Sequence, residues 1–282
     1  MRHPNCYEKR LTDLNMILEA GCTMTVDAAE ISAVVLMLRP QSGLGQEVKQ
    51  THLSIEPPVN LYEFHDAFGN LQQRTMLGQG RSIITSSCTV DTPDEIASQP
   101  EADFTLIQNL PDDVIHYLLP SRYCESDKML KLATSIVKQC APGYPQVEAI
   151  RSWIFRKVRY RYGVSSSSTS ATDTAKGRAG VCRDFAHLGI ALCRALRIPA
   201  RMVVGYLYQL EPMDLHAWFE AFVGGRWYTF DATQKRPRGN RIIIGYGRDA
   251  ADVAQLSEYG PLKTTSMSVW VKASNGTAAA AA

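Results

Sequence analysis

Three residues in the second half of the chain have types and spacing suited to nucleophilic chemistry: Cys182, His216 and Asp231. Cys182 stands in Gly177-Arg178-Ala179-Gly180-Val181-Cys182-Arg183-Asp184-Phe185-Ala186-His187-Leu188, a glycine-punctuated lead-in to an apolar repeat. Phe185, Leu188, Leu192 and Leu196, widened by Ile190 and Cys193, predict a buried amphipathic helix with Cys182 in its first turn. Unpaired backbone N–H groups and the helix dipole favour negative charge there, which suits a nucleophilic thiolate. A lone cysteine is more often a small buried hydrophobe. The downstream pattern decides against that.

The hairpin that follows sets a geometric test. Gly224-Gly225 is a good two-residue turn between strands expected at 215–223 and 226–232. Pairing Val223 with Arg226 and running the register back puts Asp231 opposite Trp218. His216 and Trp218 are two residues apart and share a face, so Asp231 becomes a diagonal neighbour of His216 within side-chain reach. A one-residue slip would send the two to opposite faces. The expected pair fixes the imidazole tautomer, and a helix start packed against that face brings Cys182 to the other ring nitrogen. Nucleophile, base and orienter together are the parts of an acyl-transfer site.

Other reactive side chains read as structural. His187 follows Cys182 by about 140° of helix and faces elsewhere. Cys193 shares the angle of Cys182 but lies three turns away, too far for a disulfide. Arg201 suits a structural ion pair better than a substrate carboxylate, and Trp218 suits packing beside the histidine. The backbone N–H of Cys182 is the expected oxyanion donor, with Tyr160 and Tyr162 as side-chain candidates by proximity in the chain, against a core-packing role.

The elements that must position these residues fall into two groups. Strands are expected at 31–38, 49–55, 71–77 and 81–90, separated by Pro40-Gln41-Ser42-Gly43, Pro57-Pro58 and Phe68-Gly69-Asn70, which suggests a small β-sandwich. Ahead of them, 11–20 reads as a short, weakly patterned helix. A proline- and acid-rich connection over 91–120 leads to helices at 127–139 and 146–158, the second opened by Pro145. Residues 159–163 are extended, and 165–170 form a serine-rich loop, either a connector or a lid, before a turn at 173–176. Strands follow at 200–207, 241–244 and 266–272. The expected division is an N-terminal β-sandwich-like domain with a short leader (1–110), a catalytic domain (111–274) and a disordered tail (275–282).

Bulk composition narrows the function classes. The 282 residues carry 30 basic against 28 acidic side chains, a net charge of +2, which argues against nucleic acid as a partner. The longest apolar run, 31–38, is too short for a membrane span, and the N-terminus lacks a secretory h-region. Seven irregularly spaced cysteines fit reduced thiols in a cytoplasmic protein. No CxxC pair or His-rich tract suggests a metal, and no cofactor is expected.

Gly180-Val181-Cys182-Arg183-Asp184-Phe185-Ala186-His187-Leu188, Ile198-Pro199-Ala200-Arg201, Gly205-Tyr206, His216-Ala217-Trp218-Phe219-Glu220 and Phe230-Asp231-Ala232-Thr233 together resemble the bacterial transglutaminase-like superfamily. The likeness is strong over 147–247, and the β-rich segment with Asp66-Ala67-Phe68-Gly69-Asn70 is similar to the N-terminal domain that often precedes such cores. The resemblance implies an α+β fold: a papain-like core with the cysteine on a helix and the histidine and aspartate on an antiparallel sheet. Its members include cross-linking transferases, peptidases, amidases and deglycosylating enzymes. No tryptophan adjoins Cys182 and no acidic calcium loop is present, so neither feature of the animal enzymes carries over.

The expected function is thiol-dependent acyl transfer on peptide or protein amides through Cys182, His216 and Asp231, most simply as a peptidase or amidase. Amine transfer, a non-catalytic peptide-binding module and an acyl-coenzyme-A-dependent N-acetyltransferase are the alternatives. The last lacks a convincing phosphate-binding loop. Substrate identity and oligomeric state are not legible.

Overall fold

Strict alternation builds the first half of the chain. The computed structural model describes residues 15–43 and 45–274. Six strands come first: β1 (Asn15–Ala28), β2 (Ser32–Leu36), β3 (Glu47–Glu56), β4 (Tyr62–His65), β5 (Leu71–Leu77) and β6 (Gly80–Pro93). Every second side chain from Leu18 to Ala28 is buried, and β1 is hydrogen-bonded along both edges. The helix expected over 11–20 is therefore corrected: from Asn15 onward this stretch is strand. Residues 11–14 and the 275–282 tail lie outside the described residues.

The connection carries α1 (Asp112–Ile115), and then come α2 (Leu130–Ile136) and α3 (Tyr144–Lys157). Met129, Ala133 and Val137 are buried as the apolar spacing requires, but α2 is shorter than expected and Leu130 is exposed. Pro145 sits in the first turn of α3. The strand β7 (Arg159–Tyr160), α4 (Ala171–Gly177) and β8 (Ala179–Gly180) lead into α5 (Cys182–Ala195). The turn expected at 173–176 is a helix, because Ser170 caps it and Asp173 accepts the Ser170 N–H at 3.0 Å.

The remaining strands are β9 (Ala200–Leu207), β10 (His216–Val223), β11 (Arg226–Phe230), β12 (Arg241–Gly247), β13 (Leu256–Tyr259) and β14 (Leu262–Ala273). An antiparallel sheet in the order β11-β10-β9-β12 forms the C-terminal half, with α5 against one face. Gly189 lies where a Cβ would come within 2.5 Å of the Phe219 ring, so only glycine lets the helix sit this close. The fold is thus an α+β core joined to a β-sandwich.

The sandwich has two four-stranded sheets, β14-β1-β6-β3 and β13-β2-β5-β4. Residues 256–273, which the sequence reading groups with the catalytic unit, supply one edge strand to each sheet. One face of the β1–β6 ribbon also serves two cores. Cys22, Met24, Val26 and Ile84 pack inside the sandwich. Leu18, Ala20, Cys88 and Val90 join the core that holds α5, Met202, Val204 and Tyr206. No helix among the described residues is long and apolar enough to cross a membrane.

Candidate active site

The helix carrying Cys182 starts sharply. Val181 is extended, and the Asp184 carboxylate accepts the Val181 N–H at 2.9 Å while placing negative charge in the first turn. Gly180 makes room for this, since a Cβ there would fall 2.6 Å from the Asp184 side chain. Cys182 is half-buried at the tip. Arg183 donates to the Ser166 carbonyl at 2.6 Å and to Asp184 at 3.1 Å, which ties the serine-rich loop to the residue next to the thiol.

The hairpin has the register that its two glycines require. Gly224 and Gly225 both take positive φ, +57° and +81°, Val223 pairs with Arg226, and Phe219 pairs with Phe230. Asp231 follows directly, and His216 Nε2 lies 2.8 Å from its Oδ2. The two side chains are almost completely buried. The body of α5 packs on the alternate face of β10, that of Ala217 and Phe219. His216 is the first residue of the strand, and the Cys182 thiol lies close enough to help raise its pKa.

Asp231 is held from every side. Its Oδ1 accepts the Thr233 N–H at 3.0 Å and the Thr233 hydroxyl at 2.7 Å; its Oδ2 also accepts from Arg241 Nη2 at 2.9 Å. The Arg241 guanidinium lies over the Trp218 ring at 4.8 Å, and that ring is stacked on His216 at 6.0 Å. Burial pushes the Asp231 carboxyl up, but the facing His216 and Arg241 and the hydrogen bonds of His216 and Thr233 hold it well below the carboxylate range. Burial likewise pulls His216 down, yet Asp231 first and then the neighbouring Cys182 carry it up to about 9. The imidazole therefore holds its proton more tightly than a free one.

Of the two tyrosines, Tyr160 is the one beside the thiol. Backbone pairing of β7 with β8 sets Tyr160 level with Gly180, and its hydroxyl lies by the Cys182 N–H. Burial first, then the neighbouring Cys182, raises its pKa, so it keeps its proton as a donor. Tyr162 packs edge-on against Tyr160, ring centroids 5.5 Å apart. Arg201 forms a buried ion pair with Glu220 at 2.6 Å, between the rings of Trp227 and Tyr246. His187 and Cys193 are fully buried in the core side of α5.

Arg241 is the residue that sequence reasoning missed. It opens β12, ten residues after Asp231, and no local spacing marks it. Its signal would have been the demand of a buried aspartate for a second cation. Among the described residues no cluster of three His, Cys, Asp or Glu side chains is arranged to hold a metal ion.

Residues 130–232 match the transglutaminase-like superfamily and residues 27–93 match the bacterial transglutaminase-like N-terminal region. A solved structure described as a putative cysteine protease from Cytophaga hutchinsonii is 37% identical, with a TM-score of 0.88 over 94% of this chain and 92% of that one. An uncharacterized protein of Mycobacterium leprae is 29% identical over 233 residues, 78% of this chain and 83% of the relative. An uncharacterized protein of Mycobacterium tuberculosis is 28% identical over 264 residues, 78% of each.

Proposed function

The chain belongs to the transglutaminase-like superfamily, and within it we propose that this protein hydrolyses amide bonds of peptides or proteins through a Cys182–His216–Asp231 triad. The observation that carries the reading is the His216–Asp231 pair at 2.8 Å, buried and presented to the Cys182 thiol. His216 takes the Cys182 proton, or already shares an ion pair with it, and the thiolate attacks the substrate carbonyl carbon, forming an S–C bond. The oxyanion that develops is met by the Cys182 N–H and the Tyr160 hydroxyl. As the C–N bond breaks, imidazolium His216 gives its proton to the leaving amine and a thioester remains. Water then yields a proton to His216 and adds to the thioester. The C–S bond breaks, the acid is released and the thiolate is restored. Asp231, itself fixed by Arg241 and Thr233, orients the imidazole throughout.

A cytoplasmic location is part of this proposal. The six cysteines among the described residues are unpaired, as a reducing compartment would keep them.

Iodoacetamide labelling of the native protein across pH, read at each cysteine by peptide mass, tests the triad. Fast alkylation of Cys182 near pH 6, slowed in His216→Ala, is the expected result. A Cys182 that reacts like an ordinary thiol of pKa about 8.5 would sink the reading.

A further inference from the structure

The surface beside Cys182 is far more basic than the chain as a whole. Between residues 156 and 183 there are seven Lys and Arg and a single acidic residue, Asp173, although the entire chain is only +2. Pairing of β7 with β8 concentrates this charge: the Arg159 N–H bonds the Arg178 carbonyl, and the Arg161 N–H bonds the Gly180 carbonyl. Arg159, Tyr160 and Arg161 border a cavity of about 430 Å³ with Thr169, Asp173 and Ala179. Its one carboxylate, on Asp173, already accepts from the backbone N–H and hydroxyl of Ser170. Among the described residues no carboxylate lies within ion-pair distance of Arg159 or Arg161.

From this we propose that the cavity is a specificity subsite for an acidic side chain, so that the preferred substrates are peptides carrying Glu or Asp close to the amide that is attacked. The inference rests on the triad reading and names the substrate class of that same site. Tyr160 is the shared residue: its hydroxyl lies at Cys182 and it also lines the cavity. Ala179, which lines the cavity, and Cys182 are three residues apart, about 10 Å of extended chain, so the charged side chain belongs two or three residues from the scissile bond. Guanidinium groups recognise carboxylates through paired, charge-assisted hydrogen bonds. Exposed Arg159 and Arg161 are free to make them, whereas Arg183 is committed to Ser166 and Asp184.

The test is protection of Cys182 from iodoacetamide in the full chain at about 0.15 M salt. Three short peptides are used, identical except for Glu, Ala or Lys on both sides of a central Ala-Gln-Ala. The Glu peptide should protect at about tenfold lower concentration than the Ala peptide, and the Lys peptide should protect least. The doubly reversed variant Arg159→Glu/Arg161→Glu should invert this order, and Arg159→Lys/Arg161→Lys should keep it. Equal or absent protection by the three peptides, or an order that survives charge reversal, overturns the proposal. So does a short oligonucleotide that protects better than the Glu peptide, which would make the basic surface a nucleic-acid site. Failure of the triad reading would be visible separately, as slow alkylation without any peptide and no effect of His216→Ala.

Discussion

Two regions of the C-terminal half each bury a histidine: His187 inside α5 and His216 at the start of β10. His187 stacks on Tyr123 with ring centroids 5.1 Å apart, and its Nε2 accepts the Ala250 N–H at 3.1 Å. The carboxylate that acts most on it, Asp249, serves the backbone N–H groups of Tyr123 and Ala251. Burial dominates there and pulls His187 down to about 4, a neutral ring. His216 is as deeply buried, but it bonds directly to an aspartate that two other groups hold in place, and it is carried up to about 9. Depth therefore does not decide the charge of a buried imidazole. A directly bonded carboxylate, itself anchored, does.

Replacing that carboxylate is the most severe way to collapse the difference. Asp231→Asn should leave His216 neutral and Arg241 unpaired, costing about 3–5 kcal/mol in denaturant unfolding. Alkylation of Cys182 at pH 6 should fall about 10²-fold. Wild-type rates in this variant would show that the carboxylate does not set the imidazole.

The two rings also predict opposite pH limbs. His216 is raised above its unfolded value near 6.5, so its stabilisation is complete below that pH and fades as pH rises through about 9. His187 is lowered, so stability is present above 6.5 and is lost as pH falls toward about 4. Unfolding titrations should show an alkaline loss of about 3 kcal/mol that His216→Ala removes. An alkaline limb unchanged in that variant would assign it to another group.

Arg241→Met isolates the anchor from the carboxylate. Cys182 alkylation at pH 6 should slow about tenfold, the worth of one charged hydrogen bond, with Asp231 still present. No change would reduce Arg241 to packing on Trp218. The mildest expectation concerns His187→Gln, which retains an acceptor for Ala250. It should flatten the acid limb while Cys182 alkylation at pH 7 stays within about twofold, and a larger fall would link this ring to the site.

What was legible in the chain was local. Gly224-Gly225 dictates a hairpin register, and register plus parity is enough to bring Asp231 to His216. The apolar repeat after Val181 is enough to start α5 at Cys182. What stayed hidden depended on distant partners or on weak local signals. The 11–20 stretch looked weakly helical because the strand alternation of β1 sets in only at Leu18, beyond most of that window. Ser170 and Asp173 form a helix cap, yet Ser170 closes a serine run that reads as loop. Arg241 is a strand-opening arginine like many others until Asp231 folds against it. The face of β10 that meets α5 could not be told from parity alone: the helix packs on the face of Ala217 and Phe219, not on that of His216.

The pairing of β14 with β1 has a consequence for the order of events at the ribosome. Residues 15–93 contain an inner strand of the first sheet, but its second neighbour, residues 262–273, is translated only after the whole core between them. Until then β1 has an open edge, a row of unpaired N–H and carbonyl groups that invites pairing with another chain. The N-terminal half must therefore wait, incomplete, for the whole enzyme core to be synthesised. A stalled or truncated product ending before residue 262 should be recovered as aggregate, not as a folded sandwich.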